Sequence, residues 1–211
     1  MKGLMVKDLL LMKNQVRTLL LLILCGAVMS LSFEPQAVIF YLTVMGGMVA
    51  VGTLSFDEAD KGYSYLLTLP VTRKGYVREK YLFTALWTAG CAVIGAAVCL
   101  LLSLAAGKPV SLEEICLSLL FALLGVSLMT GLMIPFRLKY GSEKGRTVLY
   151  AVMILFAVGF ILLQRMSGSQ MPAWTADLNR PVSLAVLLLV CSLLFLLSER
   201  VSEGIMTKKE F

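Results

Sequence analysis

What most constrains this chain is its hydropathy pattern. Long, nearly uncharged apolar runs alternate with short segments that carry almost all of its lysine and arginine. A soluble domain of 211 residues, 59% of them hydrophobic, would have too few polar side chains to cover its own exterior. A bilayer is the solvent that fits. Its hydrocarbon core needs about 20 residues per helix, and on that scale the apolar runs divide into six spans at about 18–33, 35–56, 81–106, 112–136, 147–164 and 181–198. The expected fold is an all-α membrane protein with six transmembrane helices. Residues 1–17 precede a single transmembrane domain over 18–211. No convincing small-residue cleavage site follows the first run, so it reads as a retained span.

The basic residues assign the sides. Four lie before the first span (Lys2, Lys7, Lys13, Arg17), five between spans two and three (Lys61, Arg73, Lys74, Arg78, Lys80), four between spans four and five (Arg137, Lys139, Lys144, Arg146) and three after span six (Arg200, Lys208, Lys209). Only Lys108, Arg165 and Arg180 fall on the opposite side. Positively charged loops stay inside, so both termini are expected in the cytoplasm. Anionic lipid along that face accounts for the net charge of +6, and no nucleic acid is needed to explain it.

Several function classes fit poorly. The chain has no histidine, and its five cysteines (Cys25, Cys91, Cys99, Cys116, Cys191) all sit in apolar runs without a CxxC pair. They read as small buried hydrophobes rather than metal ligands or a disulfide framework. Apart from Glu113 and Glu114 at the very start of the fourth, no Asp, Glu, Lys or Arg falls inside the six spans, which argues against a carrier driven by protons or sodium. No internal repeat marks an inverted-repeat transporter. A membrane enzyme would want paired carboxylates, a Ser/His pair or metal ligands at one depth, and none is offered.

At the start of the chain, Met1, Met5, Leu9, Met12 and Val16 fall at steps of three and four. The expected element over 1–17 is an amphipathic helix in the cytoplasmic interface; a plain extension of the first span is the other reading. In the third span, Ala85, Ala89, Ala92 and Ala96 form a small-residue stripe that serves generic helix packing or a dimer seam.

The longest polar insert is Asp57–Lys80. Its leading acids, Asp57, Glu58 and Asp60, are placed to favour the N-terminus of a short helix over about Gly62–Leu69. On that helix Tyr63, Leu66 and Leu67, with Tyr65, make an apolar knob, and Pro70 ends it. An exposed knob of this kind needs a cover. Lipid and a partner protein are the two choices, and repulsion of the acids by an anionic leaflet favours the protein.

The stretch from Glu58 through Lys61-Gly62, Leu66-Leu67-Thr68-Leu69-Pro70-Val71-Thr72-Arg73-Lys74 and Val77 to Lys80-Tyr81 resembles the first cytoplasmic loop of type-2 ATP-binding-cassette (ABC) permeases. A second stretch, Ile134-Pro135-Phe136-Arg137-Leu138-Lys139-Tyr140-Gly141-Ser142-Glu143-Lys144-Gly145-Arg146, is similar to a motif at the cytoplasmic end of span four in small permeases of that family, including those that export amphipathic peptides such as phenol-soluble modulins. The resemblance implies a bacterial plasma-membrane protein whose first loop is a coupling helix docking on a separate ATPase. Its contacts would be Glu58, Lys61, Tyr63, Leu66, Leu67, Leu69, Pro70 and Arg73. A second cytoplasmic element would use Lys139, Gly141, Glu143, Lys144 and Arg146. It further implies a particle of two ATPases and two permeases, the second identical or paralogous, with an amphipathic peptide as cargo and ATP with magnesium held by the partner. The short outer loop Arg165–Arg180 argues against a polysaccharide cargo.

The chain itself offers no nucleotide site. A phosphate-binding loop reads GxxxxGK[ST] between a strand and a helix. In Gly141-Ser142-Glu143-Lys144-Gly145-Arg146-Thr147 the glycine spacing differs and arginine replaces lysine. Two functions therefore stand: the permease subunit of an ABC exporter, or a non-transporting scaffold or sensor partner that anchors a cytoplasmic protein through the knob.

Overall fold

The computed structural model describes residues 2–32, 36–58, 72–105, 111–166 and 180–208. These residues form helices α1 (Lys2–Asn14), α2 (Val16–Ser32), α3 (Ala37–Glu58), α4 (Arg73–Ala105), α5 (Leu112–Met166, broken at Gly141) and α6 (Arg180–Lys208). The all-helical expectation holds for them. Among the described residues, three helices are long and apolar enough to cross a membrane: Ala37–Glu58, Arg73–Ala105 and Leu112–Gly141. The pair Gly3–Asn14 and Val16–Val28, bent by 63°, makes a fourth if counted as one span.

The helix ends follow local chemistry. Thr72 caps α4, its Oγ1 accepting the Gly75 N–H at 3.1 Å. Ser111 caps α5 in the same way through the Glu114 N–H at 3.2 Å, with Glu113 and Glu114 in the first turn, where acids suit the helix dipole. α4 begins eight residues before the expected third span, so its first two turns carry Arg73–Lys80 as helix. α5 runs through Pro135, past the expected end of the fourth span, to a break at Gly141.

α3 is the central element, packed on α4 and α5. Its approach to α4 needs a residue without a side chain, since a Cβ on Gly95 would lie 3.1 Å from the Ile39 Cα. Of the alanine stripe on α4, Ala92 is buried here and Ala85 faces outward. The outer surface of α4 is hydrocarbon: Leu82, Leu86, Val93, Leu101 and Leu104 are all exposed. A bilayer, unlike water, makes that surface cost little.

α1 buries a different face from the one its apolar spacing predicts. Leu4, Asp8 and Met12 point inward, while Leu9 and Val16 are exposed. The reason is electrostatic: Asp8 finds a lysine inside the bundle, and the helix rolls to reach it.

Candidate functional site: a helix junction at one end of the bundle

The basic segments meet at one end of the molecule. The acid and amide at the start of α5 and α3 mark the other end, where Gln36 donates to Glu114 at 2.9 Å. The junction has an apolar centre built from α1, α3, α4, α5 and α6, including Leu4, Leu54, Val77, Ile134, Leu138 and Met206. Around this centre, polar side chains tie the helices together.

The first tie is a buried ion cluster. Lys80 on α4 is 1% exposed and Asp8 on α1 is fully buried. The Lys80 Nζ pairs with Asp8, reaches the Asp57 Oδ2 of α3 at 2.8 Å and donates to the Thr53 Oγ1 at 3.1 Å. Lys7 pairs with the other oxygen of Asp57 and lies 3.3 Å from Asp8. The Tyr76 hydroxyl donates to Asp57 at 2.9 Å. Two lysines thus face two aspartates, which makes the desolvation tolerable. Asp57 and Lys80 are the two stems of the expected coupling loop. Asp57 was expected as a leading acid of that loop; the structure buries it and neutralises it, so its repulsion by anionic lipid no longer argues for a protein cover.

The second tie joins the two family-like stretches. Gly141 has φ 82° and ψ 172°, a backbone conformation confined almost entirely to glycine. The Glu58 carboxylate packs directly against it, in the place a Cβ would occupy. That carboxylate lies beside the first residues of the helix that resumes after the break, where unpaired N–H groups favour a negative charge.

The third tie forms around Pro135. Proline has no N–H, so the Gly131 carbonyl one turn back lacks its usual helical partner. Ser198 of α6 supplies a donor to that carbonyl. The Tyr81 hydroxyl of α4 lies 2.6 Å from the Ser198 Oγ and 2.8 Å from the Ser202 Oγ. Tyr81, the last residue of the first stretch, is thereby linked to Pro135, near the start of the second. Arg137 reaches the Val51 carbonyl and the Ser55 Oγ, both at 3.0 Å. Arg78 pairs with Glu203 at 2.8 Å, and Arg73 donates to the Thr207 carbonyl at 2.9 Å.

Of the expected loop contacts, Glu58 and Arg73 are placed, at the two stems; Lys61, Tyr63, Leu66, Leu67, Leu69 and Pro70 lie outside the described residues. Of the second element, Lys139 is exposed with its Nζ 5.0 Å from the Tyr140 ring, Lys144 is exposed and Gly141 forms the break. The side chains of Glu143 and Arg146 lie outside the described residues. Sequence reasoning missed Asp8, Thr53, Glu79 and Ser198. A signal existed for Asp8: it is the only acid among the first seventeen residues and stands on the Leu4–Met12 helical face.

These features define a helical membrane protein in which α3 and α4, the helices that flank residues 59–71, are fastened together by a multi-helix joint. A family model described as "ABC-2 family transporter protein" matches residues 3–207, and the chain belongs to that family. It is accordingly a membrane component of an ABC transporter, the kind of subunit that works with a separate ATPase. No curated protein and no solved structure matches the chain.

Proposed function

We propose that this chain is the permease subunit of an ATP-driven exporter in the bacterial plasma membrane. In this reading all six apolar runs span the bilayer, both termini and the junction face the cytoplasm, and α1 lies in the interface. Two permeases work with two ATPases, which hold the ATP and magnesium. The knob of Tyr63, Leu66 and Leu67, with Lys61, Leu69 and Pro70, docks on the ATPase, and Gly141–Arg146 lies beside it as a second contact. Nucleotide-dependent movement of the ATPases shifts the two permeases between inward- and outward-open arrangements, each nucleotide state favouring the arrangement it binds better. The cargo is an amphipathic peptide, as in the permeases for phenol-soluble modulins, and spans whose interiors carry no charge suit it.

One observation carries the reading: family membership over residues 3–207 coincides with a joint that clamps both ends of the loop, at Asp57 and Lys80. Stems so joined let α3 and α4 move as one body, which a lever requires. The scaffold reading asks nothing of that rigidity.

Co-purification tests the docking. The wild-type chain is expected to bring down an ABC ATPase, and Leu66→Asp to abolish that capture while the protein still inserts and elutes as a uniform species. Unaltered capture and transport by Leu66→Asp would remove the docking role. Topology is checked with an impermeant thiol reagent on single-cysteine variants. Ser111→Cys is expected to react on intact cells and Lys74→Cys only after lysis; the opposite pattern would invert the orientation.

A further inference from the structure

Beside the junction, α1, α4 and α6 enclose a cleft of about 380 Å³. Its walls include Met5 of α1, Leu82 of α4 and Phe195 of α6, and its charged lining is Arg78, Glu79 and Glu199. Arg78 is already shared between Glu203 at 2.8 Å and Glu199 at 3.7 Å. Glu79 is different. It is 1% exposed, and neither carboxylate oxygen has a hydrogen-bond partner among the described residues. The neighbouring Lys80 makes no hydrogen bond to it, because that ammonium is committed to Asp8, Asp57 and Thr53.

A buried carboxylate without a partner is among the costliest groups a protein carries. Such a group takes up a proton, or stays ionised where something else supplies the missing charge or donors. The cleft's excess is negative, its walls are hydrocarbon, and it opens beside the lipid-exposed Leu82. We infer that this cleft binds an ammonium group carried on an apolar body, with Glu79 as the counter-charge and the Met5, Leu82 and Phe195 side chains holding the hydrocarbon. Two sources share that chemistry: the headgroup of an aminophospholipid, and a lysine side chain of an amphipathic peptide. The inference rests on the cleft itself and stands apart from docking of the ATPase, so each can fail alone.

The purified full-length protein in maltoside micelles is titrated with dodecylamine, and adducts are counted by native mass spectrometry; dodecanol, of equal chain length and without charge, is the control. One saturable dodecylamine site is expected, and Glu79→Gln is expected to weaken it at least about tenfold. Leu82→Trp, which crowds the cleft from its outer side and leaves Glu79 in place, is expected to weaken it as well. Equal binding of dodecanol, or undiminished dodecylamine binding in a well-folded Glu79→Gln protein, overturns the site. If Glu79→Gln does not fold, undiminished binding by Leu82→Trp overturns it. Competition then separates the sources. Displacement of the amine by phosphatidylethanolamine but not by diacylglycerol assigns a lipid; displacement by a lysine-bearing amphipathic helical peptide, and not by its norleucine analogue, assigns a peptide. Displacement by neither, from a confirmed site, overturns the inference for biological ligands.

Discussion

Lys80→Met will destabilise the protein by about 3–5 kcal/mol, the usual cost of removing one partner from a buried ion pair. The loss is this large because Lys80 is 1% exposed and holds Asp8 and Asp57 together. Without it, two buried carboxylates share Lys7 alone. The measurement is thermal unfolding of the purified protein in one detergent, read with the yield of uniform species on size exclusion. The double variant Lys80→Met with Asp8→Asn restores the charge balance, leaving Lys7 with Asp57, and is expected to regain a substantial part of the loss. Arg78→Ala is the contrast: the Arg78 side chain is 50% exposed, and its pairs with Glu199 and Glu203 belong to the class worth about 1 kcal/mol or less. Equal effects of the Lys80 and Arg78 substitutions would mean that the cluster is solvated and does not fasten the loop stems.

Gly141→Ala is the second substitution with a large expected effect. At φ 82° and ψ 172° the backbone strain for a residue with a Cβ is about 1–3 kcal/mol, and the new methyl group would also collide with the Glu58 carboxylate. The break between the two halves of α5 should shift, carrying Lys139 and Lys144 away from the loop stem. The expected outcome is an inserted protein with lowered thermal stability and impaired assembly with its ATPase. Glu58→Ala placed on top of Gly141→Ala removes the collision and leaves the strain, so it should restore stability only in part. Full recovery would mean that the backbone angle carries no cost; no recovery would mean that Glu58 does not press on Gly141. Either result would revise how the two cytoplasmic stretches meet.

The sequence showed the parts of this junction far better than its wiring. Thr72 before Arg73 and Ser111 before Glu113-Glu114 are local capping signals, contacts within four residues, but hydropathy passes over the first and starts that helix eight residues late, at Tyr81. The apolar runs announce helices for the same reason: the pattern is local. Glu58 and Arg73 were identified as residues of one loop, and Lys139, Gly141 and Lys144 as residues of another. Nothing local said that Glu58 would lie on Gly141, 83 positions on in the chain. Lys80 read as one more basic residue on the inner face of a membrane. Its burial follows from Asp8, Asp57 and Thr53 converging from two other helices, and composition has no means of foretelling such convergence.

Pro135 shows the same division. In the sequence it stands one residue before the expected end of the fourth span. In the fold α5 passes through it intact, because Ser198 of another helix satisfies the carbonyl that the proline leaves bare.

Residue order alone settled the solvent, the helical class and which segments share a side, since hydropathy runs and charge bias act through neighbours along the chain. Tertiary packing decided which face of α1 turns inward, which lysine is entombed, and which acid is buried without a hydrogen-bond partner. Those outcomes depend on groups from distant segments meeting where water is excluded, and there an unmatched charge outweighs any local preference.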